Sequence, residues 1–256
     1  MKKYDDLINY LENLEGHCII TPSEKLTEKG REITVRSLFN NLPVYYSINN
    51  DTVSTKSTQY KQPFFINQDA NIKAQCISEN KSYPMTEINV INHLAIGKLH
   101  KINCNYSTYH PSYDGGGKQA LLDGFQGDPN NLRSGKWQGF SGQNIDIEID
   151  LEEIKEIQYF SMGFYQNTFS WVIFPKKIEI FYKNKIEDDY KLLETLINLI
   201  PPEENGNLKQ NFEAKFNNTK VRYIKIVAHY YGKLPEWHHA GSNYESMLFS
   251  DEIIIK

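Results

Sequence analysis

Three short stretches carry side chains able to do chemistry. The closing run SDEIIIK holds adjacent carboxylates, Asp251 and Glu252, the residue types that act as acid and base on glycosidic bonds. The loop HYYGKLPEWHHAGSNY gathers Tyr230, Tyr231, Trp237, His238 and Asn243, and RSGKWQGF gathers Arg133, Trp137, Gln138 and Phe140. An aromatic face takes the apolar C–H side of a sugar while amide, imidazole and guanidinium groups hold its hydroxyls, so mixtures of this kind suit glycans. Arg133, Trp137, Gln138, Tyr231, Trp237, His238 and Asn243 are therefore the candidate carbohydrate contacts. The competing role for Trp137 and Trp237 is to cap a hydrophobic core. His238 and His239 are adjacent, and neighbours on an extended chain diverge, so a shared metal is not expected of them; paired imidazole ligands sit at i and i+4 on a helix. The same alternation sets Asp251 and Glu252 on opposite faces of a terminal strand, and no G-x-S-x-G nucleophile motif is present. No catalytic residue is expected, and the chain is not read as an enzyme.

The elements that must position these residues are strands. EITVRSL, PVYYSI, NIKAQCI, TEINVIN, IDIEIDL, EIQYFSM, KIEIFY, VRYIKIVA and EIIIK all alternate with period two. In IDIEIDL, Ile145, Ile147 and Ile149 share one face while Asp146, Glu148 and Asp150 share the other, the pattern of a strand with one wet side. Many short strands between turn residues mean sandwiches or barrels. The fold class expected is all-β: two β-sandwich domains and one short N-terminal helix, KYDDLINYLENLEG, with Gly16 as its stop. YKLLETLINLIPPEENG reads either as helix, from its leucines, or as strand. A seam falls at NHLAIGK, residues 92–98. The expected organisation is 1–16 helix or linker, 17–94 a small sandwich and 95–256 a larger one. The segment from Cys104 to Asn144 has little strand pattern, and loops that long are usually functional or held by something specific. Trp171, flanked by apolar neighbours, is expected in the core.

Composition removes several partners. A net charge of -4 with interspersed signs offers no basic stripe, so nucleic acid is not expected. No apolar run approaches the ~18 residues of a membrane span, and Met1-Lys2-Lys3 leads into YDDLINYLENLEGH without an export-type apolar segment. Cys18, Cys76 and Cys104 lie far apart with no C-x-x-C spacing, and are expected as buried small residues.

VYYSINND and STKSTQYKQPFFINQDANIKAQCIS together resemble the small β-sandwich that follows the catalytic barrel in family 20 glycoside hydrolases, the chitobiase and β-hexosaminidase C-terminal domain. Tyr45-Tyr46-Ser47 stand for that family's first strand, Ser57 to Pro63 for its middle and Ile72-Lys73-Ala74 for its end; Asn49-Asn50-Asp51 replace its acidic-glycine turn. LLDGFQG, WQGFSGQNIDIEIDL, SWVIFPKKIEIFY, VRYIKIVA and LFSDEIIIK resemble a coagulation factor 5/8 type C module, the discoidin or galactose-binding-like jelly roll.

These resemblances imply the non-catalytic accessory region of a bacterial β-hexosaminidase-like enzyme, secreted, periplasmic or at the cell surface. Its expected partners are a galactose- or N-acetylhexosamine-containing glycan and a catalytic domain on the same parent chain. A structural alternative is that the pair buttresses a β-hexosaminidase barrel and binds no sugar. The second resemblance also implies a structural calcium ion between the DG loop and the last strand, with Asp123, Asp128 and Glu252 as side-chain ligands.

Overall fold

The computed structural model describes residues 16–38, 42–79, 81–107 and 109–256. The helix expected over 1–16 lies, but for Gly16, outside the described residues. The chain divides into two compact units, residues 1–92 and 93–256.

The first unit contains β1 (Cys18–Thr27), β2 (Gly30–Ser37), β3 (Val44–Ile48), β4 (Thr58–Gln59), β5 (Phe64–Ile66), β6 (Ala70–Ser78), β7 (Lys81–Ser82) and β8 (Thr86–Val90). One sheet runs β1-β2-β5 and the other β4-β3-β6-β7, with β8 also on β6; every pairing is antiparallel. Alternation places Ile33 and Val35 from the first sheet and Ile72, Ala74 and Cys76 from the second in one buried cluster. Gly30, at φ 105°, is needed at the β1–β2 turn, because a Cβ there would sit 2.2 Å from the Ile66 carbonyl oxygen.

The second unit contains β9 (Leu99–Ile102), β10 (Gln138–Ser141), β11 (Ile145–Gln166), β12 (Lys177–Lys183), β13 (Lys191–Ile197), β14 (Leu208–His229) and β15 (Met247–Ile255). The segment open to two readings is thus strand over Lys191–Ile197. Strand order is β10-β15-β11-β14-β12-β13, with β9 beside β11, again antiparallel throughout. β11 and β14 are each 22 residues long and span both layers. β11 slips register between Asp150 and Lys155, where Glu152 takes φ 72°. Such a bulge bends the strand, and here it folds the sheet over itself. Ile145, Ile147 and Ile149 before the corner and Phe160, Met162 and Phe164 after it consequently share one core. Each such side chain contributes roughly 1.5–3 kcal/mol when fully buried. The all-β expectation is met. Among the described residues, no helix is long and apolar enough to cross a membrane.

Candidate functional site

At one end of the second unit three loops are tied together. The turn after β11 starts with Gln166, fully buried, whose amide Nε2 donates to the Pro201 and Glu204 carbonyls at 3.2 and 2.8 Å while its Oε1 accepts from Phe174 N–H at 3.0 Å. Thr168 donates its hydroxyl to Pro202 O at 2.7 Å, and Asn207 Oδ1 accepts from both Tyr165 OH and Asn167 Nδ2 at 2.8 Å. These bonds fix the 201–207 loop against the 165–168 turn. The third loop, 230–246, is locked by His238. Its Nδ1 accepts from Ala240 N–H at 3.1 Å, which makes Nε2 the protonated nitrogen donating to Thr168 O at 2.8 Å. Trp171 holds a left-handed backbone, φ 69°, sustained by its own N–H to Thr168 O and by Met247 N–H on its carbonyl. Strain of this kind persists only where neighbours over-determine it.

What these anchors present outward is aromatic. Phe169 is 67% exposed and Trp237 54%. The His239 ring lies stacked on Phe169 at 4.6 Å between centroids, and Trp171 sits 4.9 Å from Tyr244. Phe169, Trp237 and His239 join Pro202, Glu203, Asn205, Thr168 and His238 around a hollow of about 230 Å³. It combines free ring faces with a carboxylate, an amide and an imidazole, the set a pyranose needs.

Of the sequence candidates, Trp237 and His238 come together here. Trp237 is a free ring; His238 is a buried clamp and not a surface contact, a correction that follows from its two hydrogen bonds. Tyr231 is half-buried, with Lys176 Nζ 5.4 Å from its ring centroid, and Asn243 is exposed; neither lines the hollow. Trp171, expected in the core, is only half-buried. Phe169, His239, Glu203 and Asn205 were missed. His238 and His239 do not diverge as expected of an extended chain: both lie in a turn, and their ring centroids are 4.2 Å apart.

The other aromatic mixture does not form a surface site. Trp137 is 0% exposed, packed with Tyr165, Val172 and Phe249, and its Nε1 donates to Asp128 O at 3.0 Å. Gly127 makes this possible, because a Cβ there would fall 2.2 Å from the indole. Gln138 is buried too, its amide donating to Asp114 O and Gly117 O at 2.9 Å each, which staples the long irregular segment to β10. Arg133 is exposed on the loop beside them. Trp137 and Gln138 are therefore corrected from glycan contacts to core and loop supports.

Asp251 and Glu252 do not diverge as expected. Met162 pairs with Ile253 and Phe164 with Ser250, so the two carboxylate residues oppose Gly163 alone in a β-bulge. Both then reach the 123–127 loop: Asp251 Oδ2 accepts from Gly127 N–H at 2.9 Å and Glu252 Oε2 from Phe125 N–H at 3.3 Å. A Cβ on Gly163 would lie 2.0 Å from Asp251 Oδ1. Burial pushes the carboxyls of Asp123, Asp251 and Glu252 up, Lys136 opposing the shift at Asp123 and Lys209 at Asp251, whereas Asp123 adds to it at Glu252.

The residues here do not fit a calcium ion. Calcium takes six to eight hard oxygens, but the loop turns N–H groups toward these carboxylates. Lysine and imidazole partners also stand in place: Lys136 Nζ is 3.2 Å from Asp123, Lys209 Nζ 2.5 Å from Asp251 and 3.1 Å from Gly127 O, and His93 Nε2 2.7 Å from Glu252. Asp128 is exposed and its carboxylate accepts from Asn130 N–H at 2.8 Å. Among the described residues, no three of His, Cys, Asp and Glu assemble around a cation position.

No curated protein matches the chain. A fucose binding module of Streptococcus pneumoniae, SpX-3, is 13% identical with a TM-score of 0.40, over 65% of this chain and 98% of that one. Chitosan-binding module 1 from the chitosanase/glucanase of Paenibacillus sp. IK-5 is 10% identical with a TM-score of 0.39, over 64% and 98%. A GH29 fucosidase of Ruminococcus gnavus in complex with fucose is 16% identical with a TM-score of 0.37 over 64% of this chain, which spans 26% of the fucosidase. Residues 22–87 match the chitobiase/beta-hexosaminidase C-terminal domain. The F5/8 type C domain matches residues 101–243 of the 256, more than half, and the chain belongs to that family.

Proposed function

We propose that the second unit is a carbohydrate-binding module whose sugar site is the hollow of Phe169, Trp237 and His239. The observation that carries this reading is the pairing of exposed rings with buried anchors. Gln166, Thr168 and His238 fix three loops from beneath, so the rings above are held in place and lose little freedom when a ligand arrives. The C–H face of one sugar ring lies on Trp237 or Phe169, and Glu203, Asn205 and His239 receive its hydroxyls. A galactose- or N-acetylhexosamine-containing glycan meets that description.

One shallow site binds weakly, and its use lies in raising the local concentration of whatever is attached to it. In our reading the attached part is a catalytic domain of a β-N-acetylhexosaminidase-like glycoside hydrolase, exported to the periplasm, cell surface or medium. Support comes from the first unit's match to the chitobiase/beta-hexosaminidase C-terminal domain.

The test is a glycan array carrying galactose-, N-acetylhexosamine- and fucose-terminated structures, probed with the whole chain and with Trp237→Ala and Phe169→Ala. Retention of at least one glycan class by the native chain, lost at least tenfold in either variant, is the expected result. No retention by the native chain favours a purely structural role beside a catalytic barrel.

A further inference from the structure

Cys18 in β1 and Cys76 in β6 bring their Sγ atoms to 3.0 Å, closer than two non-bonded sulfurs rest. Their residues are 1% and 0% exposed, inside a cluster that includes Ile20, Ile33, Val35, Ile72 and Val90. The two strands belong to different sheets of the first unit, and 58 positions separate them in sequence. We propose that Cys18 and Cys76 are a disulfide pair that staples the two layers of the first unit.

Three observations support the bond. The β carbons must converge for the sulfurs to touch, and this is the hard condition for any cross-link. Each cysteine is pinned by a strand: Thr86 Oγ1 donates to Cys18 O at 2.8 Å, and Tyr83 N–H donates to Cys76 O at 3.1 Å. The first unit, residues 1–92, is also small, and a staple between positions 18 and 76 would close a long loop of the unfolded chain. Cys104, in the second unit, is half-buried and remains the odd thiol.

The chemistry is thiol–disulfide exchange with a disulfide-bearing oxidant, either oxidised glutathione or a dithiol oxidoreductase in its disulfide form. The thiolate of one cysteine attacks the oxidant's disulfide, whose S–S bond breaks as a mixed disulfide forms. The second cysteine's thiolate then displaces the oxidant's remaining sulfur and closes Cys18–Cys76. Two electrons pass to the oxidant, which leaves as two thiols with the two protons. Burial holds the folded Cys18 thiol in its protonated form, and only thiolates react, so the bond forms while the unit folds and is sealed once the layers close.

The experiment is to refold the full chain from urea in a glutathione thiol–disulfide buffer, unfold it again without reductant, alkylate the free thiols and map the peptides. The proposal expects one alkylated cysteine, Cys104, and a linked Cys18–Cys76 peptide lighter by two hydrogens. It also expects the first unit's melting midpoint to lie roughly 10 °C above that of the reduced protein. Cys18→Ala and Cys76→Ala should melt alike in oxidising and reducing buffer. Three alkylated cysteines after oxidative refolding, or a link to Cys104, would overturn the proposal. So would a linked wild type that melts no higher than the reduced form. Peptide mapping of the wild type decides the question even if neither variant folds, and no outcome depends on whether the second unit binds sugar.

Discussion

RSGKWQGF and PEWHHAGSNY have similar chemistry in sequence, each a tryptophan among polar and basic groups, yet the fold uses them in opposite ways. Trp137 is drawn inside because a glycine ten positions earlier clears room for the indole and a carbonyl at Asp128 accepts its N–H. Lys209 then lies 5.4 Å from the ring centroid. Trp237 stays outside because its neighbour does the anchoring: His238 turns in to Thr168 O, and the turn around it leaves the indole and His239 exposed. A ring is free to bind only when something next to it has already secured the backbone. Composition names a candidate platform, and the partner of the adjacent residue decides whether it is one.

Trp137→Ala should break the inward case most severely. Removing a fully buried indole costs about 3–5 kcal/mol, read as a lower denaturation midpoint of the second unit. Glycan retention by the fraction that stays folded should be unchanged. His238→Ala probes the junction of the two cases. Losing the clamp leaves Ala240 N–H without its partner and Thr168 O with the Trp171 N–H alone, a cost of about 1–3 kcal/mol. Because the 230–246 loop is then released from the 168 turn, glycan retention should fall with stability, which Trp137→Ala does not predict.

The smallest effect concerns the corner that keeps the layers together. Arg222 holds Asp150 through paired hydrogen bonds of 3.0 and 3.1 Å, and chiefly for that reason the Asp150 carboxyl titrates below its ordinary range. A lowered acid stabilises the fold above its unfolded pKa of about 3.9 and loses that contribution as pH falls through the folded value. Arg222→Met should therefore lower stability slightly at neutral pH and leave it unchanged near pH 2. The measurement is the wild-type minus variant difference in denaturation midpoint across that range. A difference that grows toward acid would reverse the sign.

Strand identity was legible wherever the wet side of a strand stayed wet, as in IDIEIDL. Continuity was less so: IDIEIDL and EIQYFSM, read as separate strands, are two halves of β11 joined through a bulge. The same kind of defect misled the reading of Asp251 and Glu252. Strict alternation separates them, but both face Gly163 alone and reach one loop. The misfit of calcium also depended on distant residues, since Lys209 and His93 reach the carboxylates from far along the chain. Cys18 and Cys76 meet across two sheets, a contact that spacing does not encode. Within the sugar hollow, Trp237 was visible as an aromatic in a polar loop, whereas Phe169, Glu203 and Asn205 arrive from two other loops that only the tertiary ties bring beside it.

The most direct measurement follows the indole N–H signals of the three tryptophans by heteronuclear NMR while a retained glycan is titrated in. Trp237 should shift most, Trp171 less, and Trp137 not at all. A shift at Trp137 with Trp237 unmoved would contradict the assignment of the sugar site to the loop end of the second unit.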